Sequence, residues 1–256
     1  MTKTITVAGK GGTGKTVVSA LLVKFLSQKG VVLAVDADPS ENLHLALGVD
    51  QDRTVGRVRE EMAQKITNGT YDQTIDKSAY LEGKVMESLV EGEKFDLLAM
   101  GRPEGPGCYC AANHMLRHAL DHLAESYDYV VVDCEAGMEH ISRQTTRNVD
   151  YLIIMSDPTM KGIATAESMK GLIGDLRTMV GEIGFVINRA HGKLSPKIEE
   201  AIEKAGLQII AIIPDDPKVA EVEGEGEAIV TIPSDSTLAR QIKTFADSII
   251  AGKKLS

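Results

Sequence analysis

Only three cysteines, Cys108, Cys110 and Cys134, occur in 256 residues. That is too few for a disulfide scaffold, so they read as free thiols or metal ligands in a reducing compartment. No apolar run approaches the roughly 20 residues needed to cross a bilayer. The N-terminal residues pass straight into a strand pattern, leaving no room for a secretory leader, and the cytoplasm is the expected compartment. There is no surplus of positive charge: 28 Lys+Arg against 37 Asp+Glu give a formal net charge of −9. That balance counts against a nucleic-acid partner, whose binding draws on cations that neutralise phosphates. No internal repeat, low-complexity tract or linker divides the chain, and residues 1–256 read as one domain.

What is present is a repeating alternation of strand and helix signals. Apolar, β-branched runs stand at Thr4–Ala8, Val31–Val35, Phe95–Met100, Tyr129–Val132, Tyr151–Met155, Gly184–Ile187 and Ile209–Ile213. Helical patterns cover Lys15–Ser27, part of Val55–Lys65, Ala79–Glu91, Ala111–Glu125, Ala164–Val180, Pro196–Ala205 and Ser236–Ala251. Strands separated by helices predict an α/β fold with a doubly wound, mostly parallel sheet covered on both faces. Val130-Val131-Val132 has no polar residue, as a central strand requires. Residues 48–94 suggest two surface helices separated by a turn at Asn68-Gly69, with no chemistry assigned. The last helix carries Leu238, Ile242, Phe245, Ile249 and Ile250 at helical spacing. Its polar face is only weakly basic, so packing onto the sheet is expected rather than a membrane surface.

The chemistry begins at Gly9-Lys10-Gly11-Gly12-Thr13-Gly14-Lys15-Thr16. It follows a β-branched run and opens a helical pattern, which is the context a phosphate-binding loop demands. Glycines let backbone N–H groups turn inward around phosphate oxygens at the positive end of the following helix. Lys15 is placed to reach the β- and γ-phosphates, and the Thr16 hydroxyl to ligate Mg²⁺. An apolar strand ending in Asp133 is the Walker B arrangement, in which the carboxylate holds Mg²⁺ directly or through water. After the second strand come Asp36 and Asp38, at a sheet edge that faces the ligand crevice. Asp36 can support either Mg²⁺ or the loop backbone, and either aspartate can also cap a helix beginning at Pro39-Ser40-Glu41.

Lys10 is one lysine more than such a loop needs. The pattern Lys-Gly-Gly-x-Gly-Lys-Thr resembles the deviant Walker A loop of the P-loop family that holds the nitrogenase iron protein and the cell-division and partition ATPases. The resemblance implies a homodimer in which Lys10 crosses to the partner's nucleotide. It implies that Asp38 in the first switch orients the attacking water and that Gly137 is the glycine of the second switch. It also implies that Asn188 hydrogen-bonds adenine, and that Pro214 and Asp215 wrap the purine with backbone. The preference for ATP over GTP comes from the same resemblance. Val17 stands where most relatives carry a hydroxyl for the α-phosphate, a contact that its backbone N–H can still make.

Pro106-Gly107-Cys108-Tyr109-Cys110-Ala111-Ala112 lies between the third strand and a helix. Two thiols one residue apart cannot complete a tetrahedral site. Two chains about a twofold axis would join four thiolates, a set suited to Zn²⁺, an iron–sulfur cluster or sometimes Ni²⁺. A following helix N-terminus would favour the thiolate form. Together with Lys10 through Thr16, Asp36-Ala37-Asp38-Pro39 and Asp133 through Arg143, this pair makes the chain resemble the carbon monoxide dehydrogenase maturation ATPases, including their acetyl-CoA synthase accessory branch. That resemblance implies an ATPase that binds metal through Cys108 and Cys110 and assists nickel insertion into carbon monoxide dehydrogenase or acetyl-CoA synthase. The other reading is an iron–sulfur redox ATPase like the nitrogenase iron protein. Against it, Glu139-His140 occupies the neighbourhood where that protein has its second cysteine. Those two residues read either as a tie between second switch and dimer interface or as a local salt link. His114, His118 and His122 recur every four residues and read as a solvated or partner-facing edge rather than auxiliary ligands. Cys134, beside a buried strand end, reads as a packed thiol.

Overall fold

The β-branched runs become strands, and each pairs in parallel with its neighbours. The structure, a computed structural model, describes residues 2–101, 120–136, 148–173 and 179–255. Among the described residues there are seven strands: β1 (Lys3–Gly9), β2 (Val32–Ala37), β3 (Phe95–Ala99), β4 (Tyr129–Ala136), β5 (Asn148–Ser156), β6 (Met179–Ala190) and β7 (Ile209–Pro214). They form one sheet in the order β3-β2-β4-β1-β5-β6-β7, with parallel register throughout. The helices are α1 (Lys15–Leu26), α2 (Leu43–Leu47), α3 (Val55–Thr67), α4 (Lys77–Glu87), α5 (Met160–Ile173), α6 (Pro196–Lys204), α7 (Pro217–Glu225) and α8 (Thr237–Ile250). A 3₁₀ turn covers Ile229–Thr231, and residues 120–124 are also helical.

The period of two along a strand sends alternate side chains to opposite faces. Tyr129, Val131, Tyr151, Ile153 and Met155 join one core with α1, α2 and α8. Val130, Val132, Leu152 and Ile154 join a second core on the other face, with Ile163 and Met169 of α5 and Ile202 of α6. Both faces are therefore covered, as an all-parallel sheet requires. In α8, Leu238, Ile242, Phe245 and Ile249 are buried in the first of these cores. Residues 48–94 supply α3 and α4, which share a small satellite core of Val58, Met62 and Leu81. No helix among the described residues is long and apolar enough to cross a membrane.

Several boundaries differ from the sequence expectation, β4 among them, which runs past Val132 and Asp133 to Ala136. The helix expected over Ala164–Val180 is α5, which starts four residues earlier and is described as far as Ile173, while Met179 already opens β6. The strand pattern of β6 is masked by glycines that packing selects. A side chain at Gly181 would press on the Asp150 carbonyl, and one at Gly184 would stand inside the Ile210 side chain. The helix expected from Pro39 begins only at Leu43. The Asp36 carboxylate accepts from the Leu43 N–H at 2.9 Å, which sets that start. The short α7 went unforeseen, although its signals are present: Pro217 in the first turn, Asp216 accepting from the Lys218 N–H, and Gly226 in the left-handed conformation after the end.

The strand order places the functional edge. From β1 the chain crosses to β2 on one side, and from β4 it crosses to β5 on the other. Reversals of this kind open a crevice beyond the carboxyl ends of the strands.

Candidate functional site

The loop between β1 and α1 is held open from three directions. A Cβ at Gly9 would run into the Met155 carbonyl of β5, so only glycine lets the strands lie this close. Lys10 N–H donates to that carbonyl at 3.3 Å, and the Thr13 hydroxyl donates to the Lys10 carbonyl at 2.8 Å. Gly14 precedes α1 at φ 86°, a region that L side chains avoid. No side chain caps α1, and no acidic residue stands in its first turn. Its N-terminal N–H groups and positive dipole end are thus left for an anion. Lys15 is 8% exposed, and among the described residues its ammonium bonds to the Lys10 carbonyl alone, at 3.4 Å. A buried cation with so little compensation is poised for a negative ligand.

Two carboxylates sit beside it on adjacent strands, Asp36 of β2 in register with Asp133 of β4. Asp133 is 1% exposed. Its Oδ2 accepts from the Thr16 hydroxyl at 2.7 Å, and its Oδ1 from the Ser19 hydroxyl at 3.0 Å. Burial raises its pKa to about 7; the nearby Asp36 charge adds to the rise, while the two hydroxyls and Lys15 oppose it. Asp36 is fully buried. It accepts from the Asp38 N–H at 3.0 Å and from the Leu43 N–H at 2.9 Å, and burial raises its pKa to about 6 despite those bonds. Both of its oxygens therefore serve loop backbone, bracketing residues 38–43. Asp38 points its Oδ1 at the Ser40 N–H, 2.8 Å away, and lines the cavity below. An all-oxygen donor set with a desolvated carboxylate held off ionisation fits a hard divalent cation such as Mg²⁺ at Thr16 and Asp133.

Of these groups Lys15, Thr16 and Asp38 line a cavity of about 740 Å³, with Asp36 and Asp133 buried behind them, a volume within the usual size of a small-molecule site. Gly11, Gly12, Gly14, Lys15, Thr16 and Val17 form one wall, and Asp38, Ser40, Asn42, Leu45 and Ala46 another. Glu135 and Ala136, the last residues of β4, and Arg189, Glu223, Gly226, Glu227 and Ile229 complete the lining. Asn188 is buried at the end of β6 and donates its side-chain N–H to the Thr13 carbonyl at 2.9 Å, so it braces the phosphate loop. Pro214 ends β7 and Asp215 follows it. Neither lines the cavity, to which α7 and the 3₁₀ turn contribute instead.

Lys10 turns away from its own loop. Its ammonium pairs with Asp157 Oδ2 at 2.6 Å, with both side chains about one-quarter exposed. Asp157 also accepts from the Thr159 hydroxyl at 2.7 Å. Burial alone would raise the Asp157 pKa, but the Lys10 and Thr159 bonds outweigh it and leave the carboxyl below its ordinary value.

The family described as CobQ/CobB/MinD/ParA nucleotide binding domain matches residues 4–229. The chain belongs to that family. It is 40% identical to an uncharacterized ATP-binding protein of Methanocaldococcus jannaschii, over 97% of this chain and 99% of that one. It is 32% identical to the carbon monoxide dehydrogenase accessory protein CooC of Rhodospirillum rubrum, over 73% of this chain and 79% of that one. Among solved structures, the septum site-determining protein MinD of Pyrococcus horikoshii, complexed with Mg-ADP, superposes with a TM-score of 0.70 at 22% identity, covering 98% of each chain. The family is nucleotide-binding, with the P-loop fold expected from Gly9 through Thr16.

Within this family member, Cys108, Cys110, Gly137, Glu139, His140, His114 and His118 lie outside the described residues. His122 is exposed. Cys134 is a buried free thiol whose pKa burial pushes up, as a packed residue should be. No group of three or more metal-binding side chains occurs among the described residues. Three contributors were not anticipated from sequence. Ser19 had a signal, standing three residues after Thr16 on one helix face. Asp157 had a weaker one, since it follows the apolar run of β5 as Asp133 follows that of β4. Arg189 had none: its φ of 56° belongs to the register shift between Ile187 and Ala190.

Proposed function

We propose that this family member is a Mg²⁺-dependent, dimerising ATPase that carries metal on Cys108 and Cys110. It assists nickel insertion into carbon monoxide dehydrogenase or acetyl-CoA synthase. The observation that carries the ATPase half is the convergence of buried Lys15, the uncapped α1 N-terminus and Thr16, backed by Asp133, on one cavity. Support for the metal half is the Cys108-Tyr109-Cys110 motif and the likeness to an accessory protein of carbon monoxide dehydrogenase.

In this reading the α1 N-terminus and Lys15 bind the triphosphate, with the Lys15 ammonium on the β- and γ-phosphates. Thr16 and Asp133 hold Mg²⁺, which supplies neutralisation of charge on the phosphate oxygens. Asp38, on the loop that Asp36 brackets, orients the attacking water. Asn188 keeps the phosphate loop in shape, and its remaining amide oxygen is an acceptor available to an adenine amino group. Lys10 leaves Asp157 and acts on the partner's nucleotide. Gly137 responds to the γ-phosphate, and the thiols of two protomers meet at the same interface to hold Zn²⁺ or Ni²⁺ as cargo.

The test is anaerobic metal binding by the native protein and by a Cys108→Ala, Cys110→Ala double variant, each with ADP and with ATP. Lost binding with intact hydrolysis is expected. Equal stoichiometry in both would remove the cysteines from the mechanism. A brown protein with iron–sulfur absorbance would instead favour the redox reading.

A further inference from the structure

We infer that Ser19 is a positioning residue for the cation site. Its hydroxyl sets the rotation of the Asp133 carboxylate and thereby tunes affinity for the divalent cation rather than for the nucleotide. The inference rests on the reading of the site as one for a Mg²⁺–nucleotide.

Thr16 and Ser19 are three residues apart on α1, so they share the helix face that looks onto β4. Each takes a different oxygen of Asp133, at 2.7 and 3.0 Å. Their exposures separate their roles. Thr16 lines the cavity, so its oxygen can serve a ligand while its hydrogen stays on Asp133. Ser19 has no exposed surface and does not line the cavity. It can touch neither phosphate nor cation and acts only through Asp133.

Serine inside a helix commonly returns its hydroxyl to a carbonyl one turn back. Here it reaches across to the next layer instead. An aspartate χ2 is a broad torsion with no deep staggered wells, so a carboxylate held by one hydroxyl alone can swing. Held by two, it keeps a fixed orientation behind Thr16, whose hydroxyl lines the cavity. Removing the Ser19 hydroxyl also leaves Asp133 Oδ1 buried with no donor among the described residues. A hydrogen bond to a charged group is worth enough that its loss should weaken cation binding about tenfold.

The experiment titrates Mg²⁺ against protein and fluorescent ADP, with a parallel ADP titration in EDTA and Mn²⁺ binding to the protein–ADP complex followed by EPR. For Ser19→Ala, the Mg²⁺ and Mn²⁺ midpoints should rise about tenfold, while ADP affinity in EDTA stays within about twofold of wild type. Ser19→Thr, which keeps a hydroxyl, should restore most of the cation affinity. Unchanged cation midpoints in Ser19→Ala would overturn the inference, as would equal losses with and without cation. If Ser19→Ala fails to fold, Ser19→Cys takes its place. Its weak S–H donor should give an intermediate midpoint, and a wild-type midpoint would overturn the inference. Wild-type protein whose ADP binding ignores Mg²⁺ would sink the Mg²⁺–nucleotide reading itself, a result distinct from either.

Discussion

Replacing Asp157 by asparagine should move the free protomer and the ATP-bound dimer in opposite directions. In the free protomer Lys10 and Asp157 lie 2.6 Å apart and are about one-quarter exposed. A bare Coulomb figure at that distance is several kcal/mol. Desolvation and side-chain ordering reduce measured pairs of this exposure to about 1 kcal/mol. Asparagine keeps an oxygen for the Thr159 hydroxyl, so the loss is confined to the ion pair. For a chain of this size, about 1 kcal/mol lowers Tm by roughly 2–4 °C. If Lys10 must leave Asp157 to reach the partner's nucleotide, each protomer of a twofold dimer gives up one such pair on association. Asp157→Asn then removes a cost of about 2 kcal/mol per dimer, a tightening of up to about 30-fold. The assay is thermal unfolding without nucleotide, together with sedimentation over a concentration series with a non-hydrolysable ATP analogue. A lower Tm with a tighter dimer is the expected signature. A lower Tm with an unchanged or weaker dimer would refute it and leave the pair as a clip between β1 and β5.

Lys15→Ala should weaken ATP binding roughly tenfold to a hundredfold, the loss of charge-assisted phosphate bonds. It should leave the nucleotide-free Tm unchanged or higher, because a scarcely compensated buried cation disappears; a large fall in Tm would show that the ammonium is stabilising. Asp36→Asn turns an N–H donor toward one of the two backbone N–H groups at Asp38 and Leu43, so a loss of about 1–3 kcal/mol is expected in urea unfolding. An unaffected midpoint would mean that the bracket around residues 38–43 carries no energy. Asp133 and Asp36, raised to about 7 and about 6 from 3.8, keep protons in the native state that the unfolded chain has already released. The free protein should therefore lose stability as pH rises from about 4 to 7. Mg²⁺-nucleotide should blunt that loss, because the cation takes the proton's place. A Tm in the nucleotide-free state that climbs across this window would contradict the assignment.

How much of this was legible beforehand depended on whether the signal was local. The phosphate loop and Asp133 were readable because the chemistry fixes residue types within a few positions of a strand end. All seven strands were located because each is an apolar run, but β6 was read too short: Gly181 and Gly184 answer to Asp150 and Ile210, which are distant in sequence. The double engagement of Asp36 was half-readable, since its place after β2 suggested backbone support without naming Leu43. Asp157 as the partner of Lys10 could not be read, because the pairing exists only once β5 lies against β1. Arg189 at the cavity depends on a bulge, which leaves no mark in residue type.

The position of Asp36 bears on how nucleotide and thiols would communicate. Its carboxylate brackets the loop carrying Asp38, and its carbonyl accepts from the Met100 N–H at 2.8 Å, just beyond β3. The Met100 carbonyl in turn accepts from the Gly56 N–H at 2.8 Å, and Gly101 packs on Thr54, so the start of α3 is tied to the same strand end. From Gly101 the chain runs on toward Cys108. The loop carrying Asp38 and the root of the segment leading to the thiols thus lie at neighbouring strand ends, joined through one residue. The sheet beneath them is buried on both faces and close-packed, so it resists deformation and its edge loops are the parts free to rearrange. A γ-phosphate that draws on Asp38 therefore acts on a loop whose anchor also holds the root of the thiol segment. The proposed link between ATP state and metal handling then needs no displacement of the core, only a change at the strand ends that Asp36 joins.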